Sequence, residues 1–414
     1  MEDIGFPEGF LWGASTSAYQ TEGGGERTDW WAWEQAGRVP TSSGVASDSW
    51  NRWAEDLDLA VELGLSVYRV SVEWARIEPE PGRFDEDALA HYVDVLAGIR
   101  ARGMQAMVVL WHFTNPVWLA PDLSGWHDAQ TPAAYERYVR HVVPALAPYA
   151  DWWATMNETN TYVDHGWMRG DWPPGYSGDW AGALRVYGHL ASGHHSAYAA
   201  IRELAGPAAR IGLTHVMPHA HPAAGAHLTG AHRAFFHWQA AHHFLDKVAG
   251  SLDWLGVQYY YDTPMTALSQ ADSDGDPPRT DMGWRIHPEG LYWVLTDAWE
   301  RYRVPIIVTE NGLADSHDRQ RSLFILDHLA WMHRAMTEGA DVRGYLHWSL
   351  IDNFEWAYGF APRFGLARVD FETFARTPRP SSRLYASVAR GNAVTAEMFD
   401  GLTYADGSDS LAPT

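Results

Sequence analysis

The sequence predicts an α/β fold, a (β/α)8 TIM barrel formed as a single domain with inserted loops. Three observations carry that expectation. Short apolar segments of strand length alternate with amphipathic stretches of helix length, the pattern of βα units around a parallel sheet. Eight such pairs follow one another along the chain. No Gly/Ser-rich or Pro-rich tract divides the 414 residues, so the length goes into loops on one barrel rather than into separate domains.

The strand candidates are residues 10–14, 66–73, 105–112, 152–157, 210–216, 252–260, 305–309 and 344–349. Helical stretches follow most of them, at 56–63, 85–102, 132–146, 181–204, 231–248, 288–302, 319–336 and 379–389. In the second of these, Leu89, Tyr92, Val93, Leu96 and Ile99 recur at helical spacing. The barrel is expected over residues 1–390. Residues 391–414 are small, polar and acidic, and read as a C-terminal extension, packed or partly disordered.

Composition narrows the partners. The formal charge is −22, which disfavours a nucleic acid and an anionic membrane surface. No apolar run approaches the roughly 18 residues of a membrane helix. There is no cysteine, hence no disulfide framework, thiolate metal site or cysteine nucleophile. The start of the chain shows neither a basic nor an apolar leader region, and a cytoplasmic location is expected. The 23 Trp suit either a large core or aromatic walls that stack on the flat faces of sugar rings. They also permit an apolar interface, so a homo-oligomer is left open.

In a barrel of this kind chemistry gathers at the C-terminal ends of the strands. Strand four ends Thr155-Met156-Asn157-Glu158, and strand seven ends Thr309-Glu310-Asn311-Gly312. Strict alternation sets Trp152, Ala154, Met156 and Glu158 on one inward face, and Ile306, Val308 and Glu310 on another. Two facing carboxyls suit glycosidic bond cleavage, one giving a proton to the leaving oxygen and the other attacking or supporting the oxocarbenium-like centre. On strand two, Arg69, Ser71 and Glu73 share a face. An inward Arg69 needs a partner, either Glu310 or a structural Glu73. Strand three ends in His112. Gln20 follows strand one, where its amide is suited to vicinal hydroxyls. Strand eight leads into Trp348-Ser349-Leu350-Ile351-Asp352-Asn353-Phe354-Glu355-Trp356, aromatics interleaved with carboxyls and amides.

At these motifs the sequence resembles glycoside hydrolase family 1, the β-glucosidases and their relatives, from about Phe6 to Ala389. The segment from Phe6 to Gly23, Tyr68-Arg69-Val70-Ser71-Val72-Glu73-Trp74 and Arg363-Phe364-Gly365-Leu366 share the resemblance. It implies a retaining double displacement with Glu158 as acid/base and Glu310 as nucleophile. It implies that Arg69 and Tyr260 hydrogen-bond the nucleophile and that Asn157 holds the sugar 2-hydroxyl. Gln20, His112, Glu355 and Trp356 would bind the other hydroxyls, with Trp348 as the stacking floor and Phe364 beside it. No cofactor or metal is implied. Glu158, where thioglucoside-cleaving members carry Gln, implies O-glycosides. Glu355, and a single lysine remote at Lys247, imply a neutral sugar of glucose, galactose or fucose type rather than a 6-phosphosugar.

Three departures from the family pattern bear on substrate choice: Phe113 after His112 in place of Trp, Gln258 in place of Asn on strand six, and a short segment from Phe244 to Asp253. A transglycosidase using the same glutamates with a sugar or alcohol acceptor is the main alternative. A non-catalytic sugar-binding barrel and a metal-dependent sugar isomerase are remoter ones. The chain has 21 His, clustered at His194-His195, His215 to His227 and His232 to His243; His215, His219 and His221 follow strand five, but Pro218 and Pro222 break that run as in a loop, and no metal is expected at any of these clusters.

Overall fold

A computed structural model describes residues 2–119, 122, 124–222, 234–235, 237–265, 277–406 and 408–413. Eight parallel strands close into a barrel: β1 (Leu11–Ser15), β2 (Val67–Ser71), β3 (Gln105–Val109), β4 (Trp152–Asn157), β5 (Ile211–Val216), β6 (Trp254–Gln258), β7 (Ile306–Asn311) and β8 (Val342–Trp348). Each pairs with its neighbours in chain order, and β8 returns to β1.

The outer ring comprises α1 (Ser49–Glu62), α2 (Glu86–Ala101), α3 (Thr131–Leu146), α4 (Trp180–Leu204), α5 (Leu245–Val248), α6 (Glu289–Tyr302), α7 (Arg321–Thr337) and α8 (Pro380–Gly391). The helix expected over 231–248 is helical where it is described, at 234–235 and 237, with a π-helical stretch at Trp238–His242 leading into α5; residues 231–233 and 236 lie outside the described residues. No helix among the described residues is long and apolar enough to cross a membrane.

Two apolar layers result. Leu11, Val67, Met107, Val109, Trp152, Ala154, Trp254, Ile307 and Leu346 fill the inside of the barrel, with Trp152 and Trp254 edge to face at 5.7 Å. The larger layer lies between the sheet and the helices. Met156, Ile306 and Val308 belong to this outer layer, so the expected inward rows are corrected. The inward residues are Trp152 and Ala154 on β4 and Ile307 on β7. The alternation fails because both strands are irregular just before their carboxyls: the register of β4 on β5 slips between Ala154 and Asn157, and that of β7 on β6 between Val308 and Glu310. A bulge adds a residue and turns the next side chain to the other face.

Candidate active site

Glu310 leaves the end of β7 pointing into the barrel mouth. Its Oε1 accepts a hydrogen bond from Arg69 Nη1 at 2.6 Å, and its Oε2 accepts one from the Tyr260 hydroxyl at 2.5 Å. The Arg69 side chain is fully buried and that of Glu310 is 5% exposed, so the ion pair stands in a medium that screens it poorly. Glu73 is not Arg69's partner. It caps the short helix Trp74–Ile77 through the Ala75 N–H and accepts from the Thr114 hydroxyl. Burial pushes the Glu310 carboxyl above the ordinary carboxylate range, and the Arg69 charge and the Tyr260 hydroxyl pull it back.

Glu158 has a different setting. It follows β4 in a left-handed conformation, φ +40°, which a side chain other than glycine adopts only when its surroundings hold it there. No ion pair reaches it among the described residues. Burial first, and the neighbouring Glu310 charge second, push its carboxyl up to about 8. Two carboxyls in one mouth are thus separated by environment: one sits against a guanidinium, the other is desolvated beside a negative charge.

Asn157 and Asn311, each beside a glutamate in the sequence, serve opposite faces. Asn157 Oδ1 accepts from Arg69 Nη2 at 2.5 Å, Thr214 Oγ1 at 2.7 Å and Gln258 Nε2 at 2.9 Å. Its Nδ2 lies 3.2 Å from His112 Nε2. Asn311 turns outward, donating to the Tyr259 carbonyl and accepting from the Tyr345 hydroxyl, and so ties β7 to its surroundings. Gly312 is required next, because a Cβ there would lie 1.8 Å from the Trp348 carbonyl oxygen. Thr214, on β5, is a site residue that sequence reading missed. A threonine inside an apolar strand carries no signal until its partners arrive from β2 and β4.

Burial holds His112 far below the ordinary histidine range, so it is neutral. With Nε2 accepting from Asn157, its buried Nδ1–H has no partner among the described residues and is a donor for a ligand. Trp348 stacks on the His112 ring at 6.2 Å and donates to Glu355 Oε1 at 3.3 Å. Burial pushes the Glu355 carboxyl up to about 8. Trp356 stacks on Tyr19 at 5.6 Å and packs against Trp30, Phe113 and Trp172. Phe364, Trp348 and Tyr260 share an apolar cluster with Trp284. The loop carrying Glu355 and Trp356 is anchored by Asp352, whose carboxyl takes Arg379 through both guanidinium nitrogens at 2.9 and 3.0 Å.

The structure thus brings Arg69, Asn157, Glu158, Tyr260 and Glu310 to one end of the barrel, with His112, Trp348, Glu355, Trp356 and Phe364 around them. Gln20 reaches the same loop, but its amide is engaged within the protein. It donates to the Asn353 side chain and the Phe354 carbonyl and accepts from Ser17. Phe113 is absorbed in the aromatic wall. The longer Gln258 spans to Asn157 and leaves its Oε1 buried without a partner among the described residues.

An eight-stranded β/α barrel with two environmentally distinct carboxyls and an aromatic mouth is the architecture of a glycoside-cleaving enzyme. The chain matches the model of glycosyl hydrolase family 1 over residues 2–251 and 240–394, and it belongs to that family as a glycoside hydrolase. A beta-galactosidase of Sulfolobus acidocaldarius is 30% identical over 95% of this chain and 97% of its own. A beta-glucosidase of Agrobacterium sp. is 32% identical over 93% of this chain and 95% of its own. The solved beta-glycosidase from Pyrococcus horikoshii superposes with a TM-score of 0.89 at 33% identity, covering 96% of this chain and 98% of that one.

Proposed function

We propose that the chain hydrolyses terminal β-linked neutral sugars with retention of configuration, Glu310 acting as nucleophile and Glu158 as acid/base. The contrast between the two carboxyls carries this reading. A nucleophile must be ionised, and Glu310 has a guanidinium and a phenol in contact with its oxygens. An acid must hold its proton near neutrality, and Glu158, raised to about 8, does so. In the first step a Glu310 oxygen bonds to the anomeric carbon as the aglycone oxygen departs with the Glu158 proton. In the second, Glu158 takes a proton from water, and the water oxygen displaces Glu310 from the sugar.

The other residues fall into place around this chemistry. Asn157, its Oδ1 saturated by three donors, has an Nδ2 hydrogen for the 2-hydroxyl. The neutral His112 and the carboxyl of Glu355 serve the remaining hydroxyls, and Trp348 underlies the ring. Glu355 and the absence of lysine outside position 247 favour a neutral sugar over a phosphorylated one. Gln20, held on the same loop, has a second Oε1 lone pair for a sugar hydroxyl.

The test is turnover of 4-nitrophenyl β-glucoside, β-galactoside and β-fucoside by wild type, Glu310→Ala and Glu158→Ala. Hydrolysis by wild type, with Glu310→Ala lowered by 10³-fold or more, is expected. Glu158→Ala should slow alkyl glycosides far more than aryl ones with good leaving groups, since only the former need protonation. Equal slowing across leaving groups overturns the acid assignment. Product formed only when an alcohol or sugar acceptor is added moves the reading to transglycosylation.

A further inference from the structure

Away from the strand ends, the short segment between β5 and β6 meets α6 through three side chains. His237 Nε2 and His242 Nε2 both face Asp297 Oδ2, at 3.1 and 2.7 Å, and lie 3.2 Å from each other. These three donor atoms form a set of potential metal ligands within 4.8 Å of one another. Zinc bonds of about 2.0–2.1 Å place neighbouring ligands of a tetrahedron about 3.3 Å apart, so the triangle already has nearly the edges that one ion would require.

The surrounding hydrogen bonds supply an arrangement in which His242 faces this triangle with the Nε2 lone pair. Tyr302 donates its proton to Asp246 Oδ1 at 3.2 Å. Its oxygen is then the acceptor for His242 Nδ1–H at 2.9 Å. In that tautomer His242 turns the Nε2 lone pair towards the Asp297 carboxylate, and an ion between them would bond to both. A ligating histidine whose other ring nitrogen donates to a fixed partner is the arrangement that supports metal binding. Asp246 is in turn held by Arg301 Nε and Nη2 and by Trp238 Nε1. His242 is buried, whereas the side chains of His237 and Asp297 are 32% and 35% exposed, which leaves an approach for an ion and for a water as fourth ligand.

We propose that His237, His242 and Asp297 bind one divalent transition-metal ion of the zinc class, which clamps the segment carrying Trp238–His242 onto α6. Two imidazoles and one carboxylate are the donors such ions prefer over calcium or magnesium.

The experiment titrates chelator-stripped protein with Zn²⁺ by calorimetry and follows thermal unfolding with and without the ion. Wild type should bind one equivalent and unfold at a higher temperature in its presence. The isosteric Asp297→Asn and the half-exposed His237→Ala should each bind at least tenfold more weakly and lose the thermal shift. Tyr302→Phe, which leaves all three ligands in place, should weaken binding roughly 10- to 100-fold. Far-UV circular dichroism of each variant checks that the fold is kept. Absence of a saturable site in wild type overturns the proposal, and identifies the contact as a His242 Nε2–H hydrogen bond to Asp297. An affinity unchanged in both Asp297→Asn and His237→Ala overturns it equally, since the ion then sits on other histidines.

Discussion

Glu158 and Glu355 are buried carboxyls, both raised to about 8 chiefly by burial. The sign of their effect on stability follows. In the unfolded chain each ionises at its ordinary value of 4.5, while in the folded protein it keeps its proton to about 8. Across that window the folded state binds more protons, so stability falls as pH rises. Glu158→Gln removes one ionisable group and should be more stable than wild type by roughly 1–3 kcal/mol at pH 8, with the difference shrinking towards pH 5. Urea unfolding at the two pH values checks this, and a pH-independent difference would mean that the carboxyl is solvated. The same variant separates the two groups in catalysis. If Glu158 is the proton donor, the alkaline limb of kcat/KM near pH 8 disappears in Glu158→Gln assayed on an activated aryl glycoside. A limb that persists belongs to Glu355.

At the scale of strands, the barrel interior is a stack of side chains from seven strands, closed on the eighth by Gly212 and Thr214. Trp254 is, with Trp152, its largest side chain and is 1% exposed. Trp254→Ala should lower stability by about 3–5 kcal/mol, because neighbours tied into a closed sheet cannot collapse into the space. Denaturant unfolding measures it, and a loss under 1 kcal/mol would show that β5 and β6 repack. The bulges on β4 and β7 are the other feature at this scale. They move Met156, Ile306 and Val308 to the helix side and still deliver Asn157 and Glu310 to the mouth. Alternation alone misplaced the first three while placing the carboxyls correctly, because the slip occurs in the residues just before them. A bulge is a pairing event between two strands, and one strand's sequence does not contain it.

Over the whole molecule, the two ends of the chain close on the barrel rather than hang from it. Ile4–Gly5 pairs with Ala393–Val394. The buried Asp327 of α7 accepts from the Tyr404 hydroxyl and the Leu411 N–H, each at 2.7 Å, and from Ser410, while Trp331 donates to the Leu411 carbonyl at 2.6 Å. Deleting residues 401–414 leaves that carboxyl without these partners and should cost about 2–4 kcal/mol, read as a lowered Tm. An unchanged Tm would mean that water replaces the tail without loss.

The order of strands and helices, the eight-fold repeat and the strand ends that carry carboxyls were all legible in the chain, because periodicity, strand length and residue type are properties of neighbours in sequence. So was the pairing of Arg69 with a carboxyl, though not the choice of Glu310 over Glu73. That choice, the inward turn of Asn157 against the outward turn of Asn311, the anchoring of Gln20 on the strand-eight loop, the recruitment of Thr214 and the meeting of His237 and His242 with Asp297 were decided only by the closed barrel. Each depends on groups from different strands or helices arriving at hydrogen-bond distance. Burial then raises the Glu158 and Glu355 carboxyls, and the local sequence of neither specifies it.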